Sequence, residues 1–343
     1  MSKKHMVGIG LAAGGVALAA TALYTEIMTS IISRRLTPLT TTIMAMSAGD
    51  MADAIPSDVR DMADRLKEIP MEQVSIRSHD GYVLRARWYP AEGAKRTILL
   101  AHGWRGSWNM DFSASTPYLH DKGCNLLLID QRCHGDSGGD LIAYGILERY
   151  DILSWLDWLE STHPGFPIYL CGVSMGAATV LMTTELDVAS RVTAIIADCG
   201  YSTPQEIVKL TVGKTLKGMT GPTLAAVNLN CKLRQGFTLK QASPVEAMAK
   251  NTEIPCLFVH GDADEFVPIR MSLENYYACQ APKDALFVHG AGHAQSFLAD
   301  PEGYQRKLTE FFGAWDTRLP PPELPKKKKC LFAKKQASTD RNA

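Results

Sequence analysis

Ile168-Tyr169-Leu170-Cys171-Gly172-Val173-Ser174-Met175-Gly176-Ala177-Ala178-Thr179-Val180-Leu181-Met182-Thr183-Thr184 changes character twice. Ile168 to Cys171 is a short apolar run of the kind that forms a buried strand. Gly172 to Gly176 is a tight turn, and Ala177 to Thr184 is a good helix former. Strand, Gly-x-Ser-x-Gly, helix is the order of a nucleophile elbow, in which a serine sits exposed at the tip of a strained turn. The glycines have a steric reason: side chains at Gly172 and Gly176 would collide with the neighbouring strand and helix. Small Ala177 and Ala178 let the helix pack close. Its N-terminus brings partial positive charge and free N–H groups beside Ser174 Oγ, where an oxyanion would form. A bare Gly-x-Ser-x-Gly recurs by chance, so the reading depends on what surrounds it.

Working outward, further apolar runs cover Thr97–Ala101, Asn125–Ile129, Thr193–Ala197, Cys256–His260 and Ala285–His289. Continuous rather than alternating apolar residues indicate strands buried on both faces of a sheet. Helical segments lie between them, for example Ile142–Ser161. Upstream, Val74 and Ile76 alternate with polar neighbours. His79-Asp80-Gly81-Tyr82 is a hairpin turn, and Val83–Tyr89 is its return strand. The expected fold class is α/β: a mostly parallel eight-stranded sheet flanked by helices, over residues 71–317. The alternation stops at about residues 200–252, where helical pieces Pro204–Leu216 and Leu224–Leu233 are interrupted by glycines. That insertion reads as a small helical lid. Its apolar residues Leu216, Met219, Leu224, Val227 and Leu229 either line an acyl-sized pocket or seat the lid.

The chain has 343 residues, 46% hydrophobic and 21% charged, with a formal net charge of +0, so no global field calls for nucleic acid. None of its 8 cysteines shows a metal-binding spacing, and their scatter favours free thiols and a reducing compartment. Val7 to Tyr24 is an uncharged run of about 18 residues after Lys3 and Lys4, at the lower limit for a bilayer span. Ala20-Thr21-Ala22 also resembles a signal-peptide cleavage site. Apolar residues continuing past Glu26 favour an uncleaved, single-pass membrane anchor over 1–33, with its orientation unset. Residues 34–70 read as a helical stalk, with Met62, Leu66 and Ile69 at helical spacing. Residues 318–343 read as a Pro-rich linker and a basic tail, solvated or in contact with anionic lipid.

A serine nucleophile needs a base, and the base needs an orienting acid, in the chain order Ser, acid, His for this fold. His293 lies in the glycine-rich loop after the last strand and is the expected base. Asp198, Asp262 and Asp264 compete as the acid. Asp264, two residues beyond the immediate turn after Cys256–His260, is the assignment made here. The oxyanion hole is expected from the backbone N–H of Met175 and of Trp104, in the loop His102-Gly103-Trp104-Arg105-Gly106. Trp104, Arg105 and Trp108 shape the pocket in this reading. His134 precedes the serine and is taken as structural. No metal or organic cofactor is implied.

These motifs resemble those of the α/β-hydrolase superfamily over roughly residues 71–315. They are His102-Gly103, Arg132-x-His134-Gly135-x-Ser137-x-Gly139, Gly172-x-Ser174-x-Gly176, His260-Gly261-x-x-Asp264-x-x-Val267-Pro268 and Gly292-His293. More loosely, Asp198-Cys199-Gly200-Tyr201-Ser202 and the N-terminal apolar segment are similar to a branch of membrane-anchored bacterial members related to serine peptidases and cinnamoyl-ester esterases. The resemblance implies a serine hydrolase acting on small-molecule esters through an acyl-enzyme. The basic tail departs from the family pattern. A peptidase or acyltransferase would use the same three residues, and a non-catalytic membrane-bound binding module is the rival of another class.

Overall fold

The computed structural model describes residues 23–30, 32–35, 57–215, 218 and 220–318. Its centre is an 8-stranded sheet in the order β1-β2-β4-β3-β5-β6-β7-β8. Strands β1 (Glu72–Arg77) and β2 (Val83–Tyr89) form the expected hairpin, with Arg77 opposite Val83. Strand β2 runs antiparallel to β4 (Cys124–Asp130). From β4 onward every pairing is parallel, through β3 (Arg96–Ala101), β5 (Ile168–Val173), β6 (Ala194–Asp198), β7 (Cys256–Gly261) and β8 (Lys283–Val288).

The continuous apolar runs follow from burial on both sides. Along β3, Leu99 and Ala101 point into one core while Ile98 and Leu100 point into the other. Along β7, Cys256 and Phe258 share the first core, and Leu257 and Val259 the second. Helices Glu148–Thr162 and Met175–Thr183 belong to the first face, and Pro301–Trp315 closes the second with Tyr304, Leu308, Phe311 and Phe312. The 7 described cysteines are all free and buried.

The helix expected from Ile142 begins only at Glu148. Tyr144 and Gly145 have φ of 52° and 82°, which no helix accommodates. The Glu148 carboxylate accepts the Ala143 and Gly145 N–H groups at 2.8 Å each, folding residues 142–147 into a loop.

The N-terminal anchor is corrected. Among the described residues, no helix is long and apolar enough to cross a membrane. The part of the stretch that is described is consumed by the protein itself: Thr29, Ile32 and Ser33 are buried, and Met28 packs against the core. The apolar residues past Glu26 that read as a continued span are the inward side of a docked segment. The single-pass membrane location falls with it. The run from Val7 to Ala22, and the tail beyond Arg318, lie outside the described residues.

The residues expected as a stalk also differ. The helix Ser57–Glu68 packs on the domain, burying Ala63 and Leu66, and the Ala63 carbonyl accepts Asn109 Nδ2 at 3.4 Å. Residues 36–56 lie outside the described ones.

Candidate active site

Strand β5 delivers Ser174 to the carboxyl end of the sheet, and the helix Met175–Thr183 starts immediately after it. The serine has φ 55° and ψ −114°, a conformation few L-residues adopt and one held by its surroundings. A Cβ at Gly176 would lie 1.8 Å from the Ala101 carbonyl oxygen, and one at Gly172 would lie 2.2 Å from the Gly176 carbonyl carbon. Both neighbours are backbone, so neither can yield.

The loop after β8 carries His293 to the serine. Its Nε2 is 3.0 Å from Ser174 Oγ, and its Nδ1 is 2.6 Å from Asp264 Oδ2. With Nδ1–H donating to the carboxylate, Nε2 is free to accept the serine proton. Asp264, in the loop after β7, is itself clamped: Oδ1 accepts the N–H groups of Phe266 and Val267 at 2.8 and 2.9 Å. His260 Nε2 lies 3.2 Å from Oδ2 and 2.9 Å from the Val267 carbonyl, and its Nδ1 is 2.6 Å from Ser272 Oγ. Burial works to raise the Asp264 carboxyl. The hydrogen bonds from His260 and His293 outweigh it and hold the group well below the usual carboxylate range. Phe266 packs its ring 5.0 Å from that of His293.

The other two acids have their hydrogen bonds elsewhere. Asp262 is exposed and braces its turn through His289 Nδ1 at 2.8 Å and the Gly290 N–H at 2.7 Å. Asp198 is buried at the end of β6 and accepts Tyr304 Oη at 3.0 Å and Ser296 Oγ at 3.3 Å. Burial pushes its carboxyl up.

Both expected oxyanion donors border the serine. Met175 is the first residue of its helix, a position whose N–H has no intrahelical acceptor. The loop carrying Trp104 presses on the elbow: a Cβ at Gly103 would sit 3.2 Å from Ser174 Cβ. Gly103 N–H donates to Asp111 Oδ2 at 2.6 Å, and Arg105 N–H donates to His134 Nε2 at 3.0 Å. His134 Nδ1 is 2.9 Å from the Arg132 carbonyl, and burial, with His102 nearby, holds its pKa well below the ordinary value. His134 is therefore a neutral brace for the oxyanion loop. Asp111 was not singled out by the sequence reading. It lies eight positions past Gly103 in no recognisable pattern, and its meaning comes only from the fold.

A narrow pocket opens over Ser174, with about 290 Å³ of atom-free space including its mouth. Trp104, Tyr144, Tyr201, Ile207, Thr211 and Phe266 line it. The expected lid lining is only partly used. Val227 is buried in the core and Leu229 faces outward, while Ile207 and Thr211 from the helix Pro204–Thr215 reach the pocket. Leu216 and Met219 lie outside the described residues. Trp108 is away from the pocket, in the second core beneath the Arg87 guanidinium.

Cys199, Asp264 and His293 place donor atoms within 4.8 Å of one another, as do His79, Asp80 and Asp151. In each group the carboxylates already have partners: His293 on Asp264, and Arg132 on Asp80 and Asp151.

A family model described as the α/β-hydrolase fold matches residues 96–230. Over 256 residues the chain is 27% identical to the uncharacterized protein YqkD of Bacillus subtilis, covering 73% of this chain and 82% of that one. The solved structure of the Pyrococcus furiosus esterase Pf2001 superposes with a TM-score of 0.57 at 19% identity, over 75% of this chain and 94% of that chain. The ferulic-acid complex of Est1E from Butyrivibrio proteoclasticus does so with 0.52 at 18% identity, over 71% and 98%. In sheet order, in the matched central segment and in these superpositions, the chain has the α/β-hydrolase fold.

Proposed function

We propose that the protein is a serine hydrolase that cleaves carboxylic esters through an acyl-enzyme. The observation that carries the reading is the continuous relay from Ser174 Oγ through His293 to a clamped, ionised Asp264. Ser174 Oγ attacks the ester carbonyl while His293 Nε2 takes its proton. The imidazolium is stabilised by Asp264, and the N–H groups of Met175 and Trp104 receive the oxyanion. Collapse of the tetrahedral species expels the alkoxide, which takes the proton from His293 and leaves as the alcohol. Water then attacks the acyl-serine, giving its proton to His293, and the acid leaves as Ser174 recovers its own. That a solved protein of this fold is named an esterase supports an ester substrate.

The test is labelling by a fluorophosphonate probe together with hydrolysis of p-nitrophenyl acetate. Intact protein should react in both assays, and Ser174→Ala in neither. An intact, folded protein that does neither would sink the proposal.

A further inference from the structure

The described N-terminal segment, residues 23–30 and 32–35, has no part in the reaction above, yet it is bonded to the walls of the pocket. Its hub is one carbonyl. Ile32 O accepts both Trp104 Nε1 at 3.0 Å and Tyr144 Oη at 2.6 Å. Both of those rings line the pocket over Ser174. The neighbouring backbone repeats the pattern. Ser33 O accepts the Ile142 N–H at 2.6 Å, and Arg34 O accepts the Arg105 guanidinium at 2.9 Å. Arg35 reaches back with its own guanidinium to the Gly135 and Ser137 carbonyls at 2.6 and 2.5 Å.

The other end of the segment holds the lid. Tyr24 Oη bonds Thr223 Oγ1, and Glu26 accepts Arg234 at 2.7 Å and Asn230 at 3.3 Å, all on the helix Thr220–Gln235. Exposed ion pairs of this kind contribute little alone. The buried Ile32 hub is different, because two pocket rings lose their polar partner together if it moves. The restraint extends one ring further: Tyr201 Oη donates to the Tyr144 carbonyl at 2.8 Å. Both tyrosine hydroxyls are thereby spent on protein carbonyls, and the Thr211 hydroxyl on Ile207 O at 2.9 Å. The pocket thus turns ring faces and aliphatic surface towards a ligand.

We propose that the N-terminal segment is a specificity element. It fixes Trp104 and Tyr144 through the Ile32 carbonyl, holds the pocket narrow, and so restricts the enzyme to small apolar acyl groups. The proposal rests on the ester-hydrolase reading given above. Loosening the strap lets the rings turn aside and admits longer chains, while the relay at Ser174 stays in place.

The experiment compares the intact chain with Tyr144→Phe, which removes the hydroxyl that bonds the segment at Ile32, and with a deletion of residues 1–35. Kinetics of p-nitrophenyl esters from acetate to decanoate are resolved into kcat and KM, and fluorophosphonate labelling of Ser174 is followed in parallel. The intact protein should favour short esters. In Tyr144→Phe the ratio of kcat/KM for octanoate to that for acetate should rise roughly tenfold, as a pocket that gains room for methylenes predicts. The change should lie in KM for the long esters. The deletion should move the ratio further in the same direction. Labelled, folded Tyr144→Phe with an unchanged ratio overturns the strap alone, whatever the deletion does. An intact protein that neither labels nor hydrolyses any ester removes the hydrolase reading and the strap proposal with it.

Discussion

Asp264 separates the candidate acids by what each carboxylate is bonded to. Asp198, Asp262 and Asp264 all lie at or just after the ends of strands downstream of Ser174, so chain order leaves three choices. Only Asp264 receives His293 Nδ1, and it is also the one whose second oxygen is held by two backbone N–H groups. Asp264→Asn should keep the shape and lose the charge, and its amide would favour the wrong imidazole tautomer. We expect kcat for p-nitrophenyl acetate to fall by roughly 10³- to 10⁴-fold with little change in KM. Asp262→Asn breaks an exposed pair with His289 and should leave kcat within about twofold. Steady-state kinetics on both variants check this assignment, and equal losses would reject it. The sequence showed the order Ser, acid, His because that order follows from the topology. It did not show the work of His260 and Asp111, because each acts on a residue that only the tertiary fold brings beside it.

The nucleophile elbow was the most legible element, since its demands are local: a buried strand, a turn with no side chains at Gly172 and Gly176, and a helix. Helix starts were less legible. Periodicity ran smoothly through Ile142, while the chain turns at Tyr144 and Gly145 for a carboxylate, Glu148, that satisfies two loop N–H groups. Two glycine substitutions measure the difference between an element's own propensity and its packing. Gly176→Ala would force a methyl against the Ala101 carbonyl and should cost about 4 kcal/mol or more, seen as loss of soluble protein or a collapsed melting temperature. Gly313→Ala lies in an exposed helical position with open space around it. It should stabilise by about 0.5–1 kcal/mol, through helix propensity alone. Chemical denaturation of the two proteins decides it. A tolerated Gly176→Ala would mean that β3 and the helix Met175–Thr183 are not packed as described.

At the scale of the whole molecule, the sheet separates two cores, and the site is built where polar groups must be buried at their edge. The sequence concealed this placement of charge, and the docking of the N-terminal segment, for the same reason. Both are contacts between residues far apart in the chain, and hydropathy alone reads a docked apolar helix and a membrane span alike. The buried charges carry a consequence for stability that differs in sign between two neighbours. Asp198 has its carboxyl raised by burial, which the bonds from Tyr304 and Ser296 only partly offset. Below the ordinary carboxylate pKa of about 4 both folded and unfolded chains hold that proton, and there is no penalty. As pH rises, the unfolded chain releases it first, so the folded state loses ground until the folded value is passed. Asp264 is the reverse: its lowered carboxyl contributes stability that is present above the ordinary value and lost as pH falls through the folded one. Neutral, isosteric substitutions isolate each contribution from the rest of the titrating surface. Relative to the intact protein, Asp198→Asn should gain stability as pH is raised from 4.5 to 7.5, whereas the deficit of Asp264→Asn should stay constant over that range, which lies above the ordinary carboxylate value, and shrink only at lower pH. Urea midpoints of the three proteins at pH 4.5, 6 and 7.5 supply the comparison. An Asp198→Asn difference that ignores pH, or an Asp264→Asn deficit that changes across this range, would show that these carboxyls are not held in the opposed states that their hydrogen bonds and burial dictate.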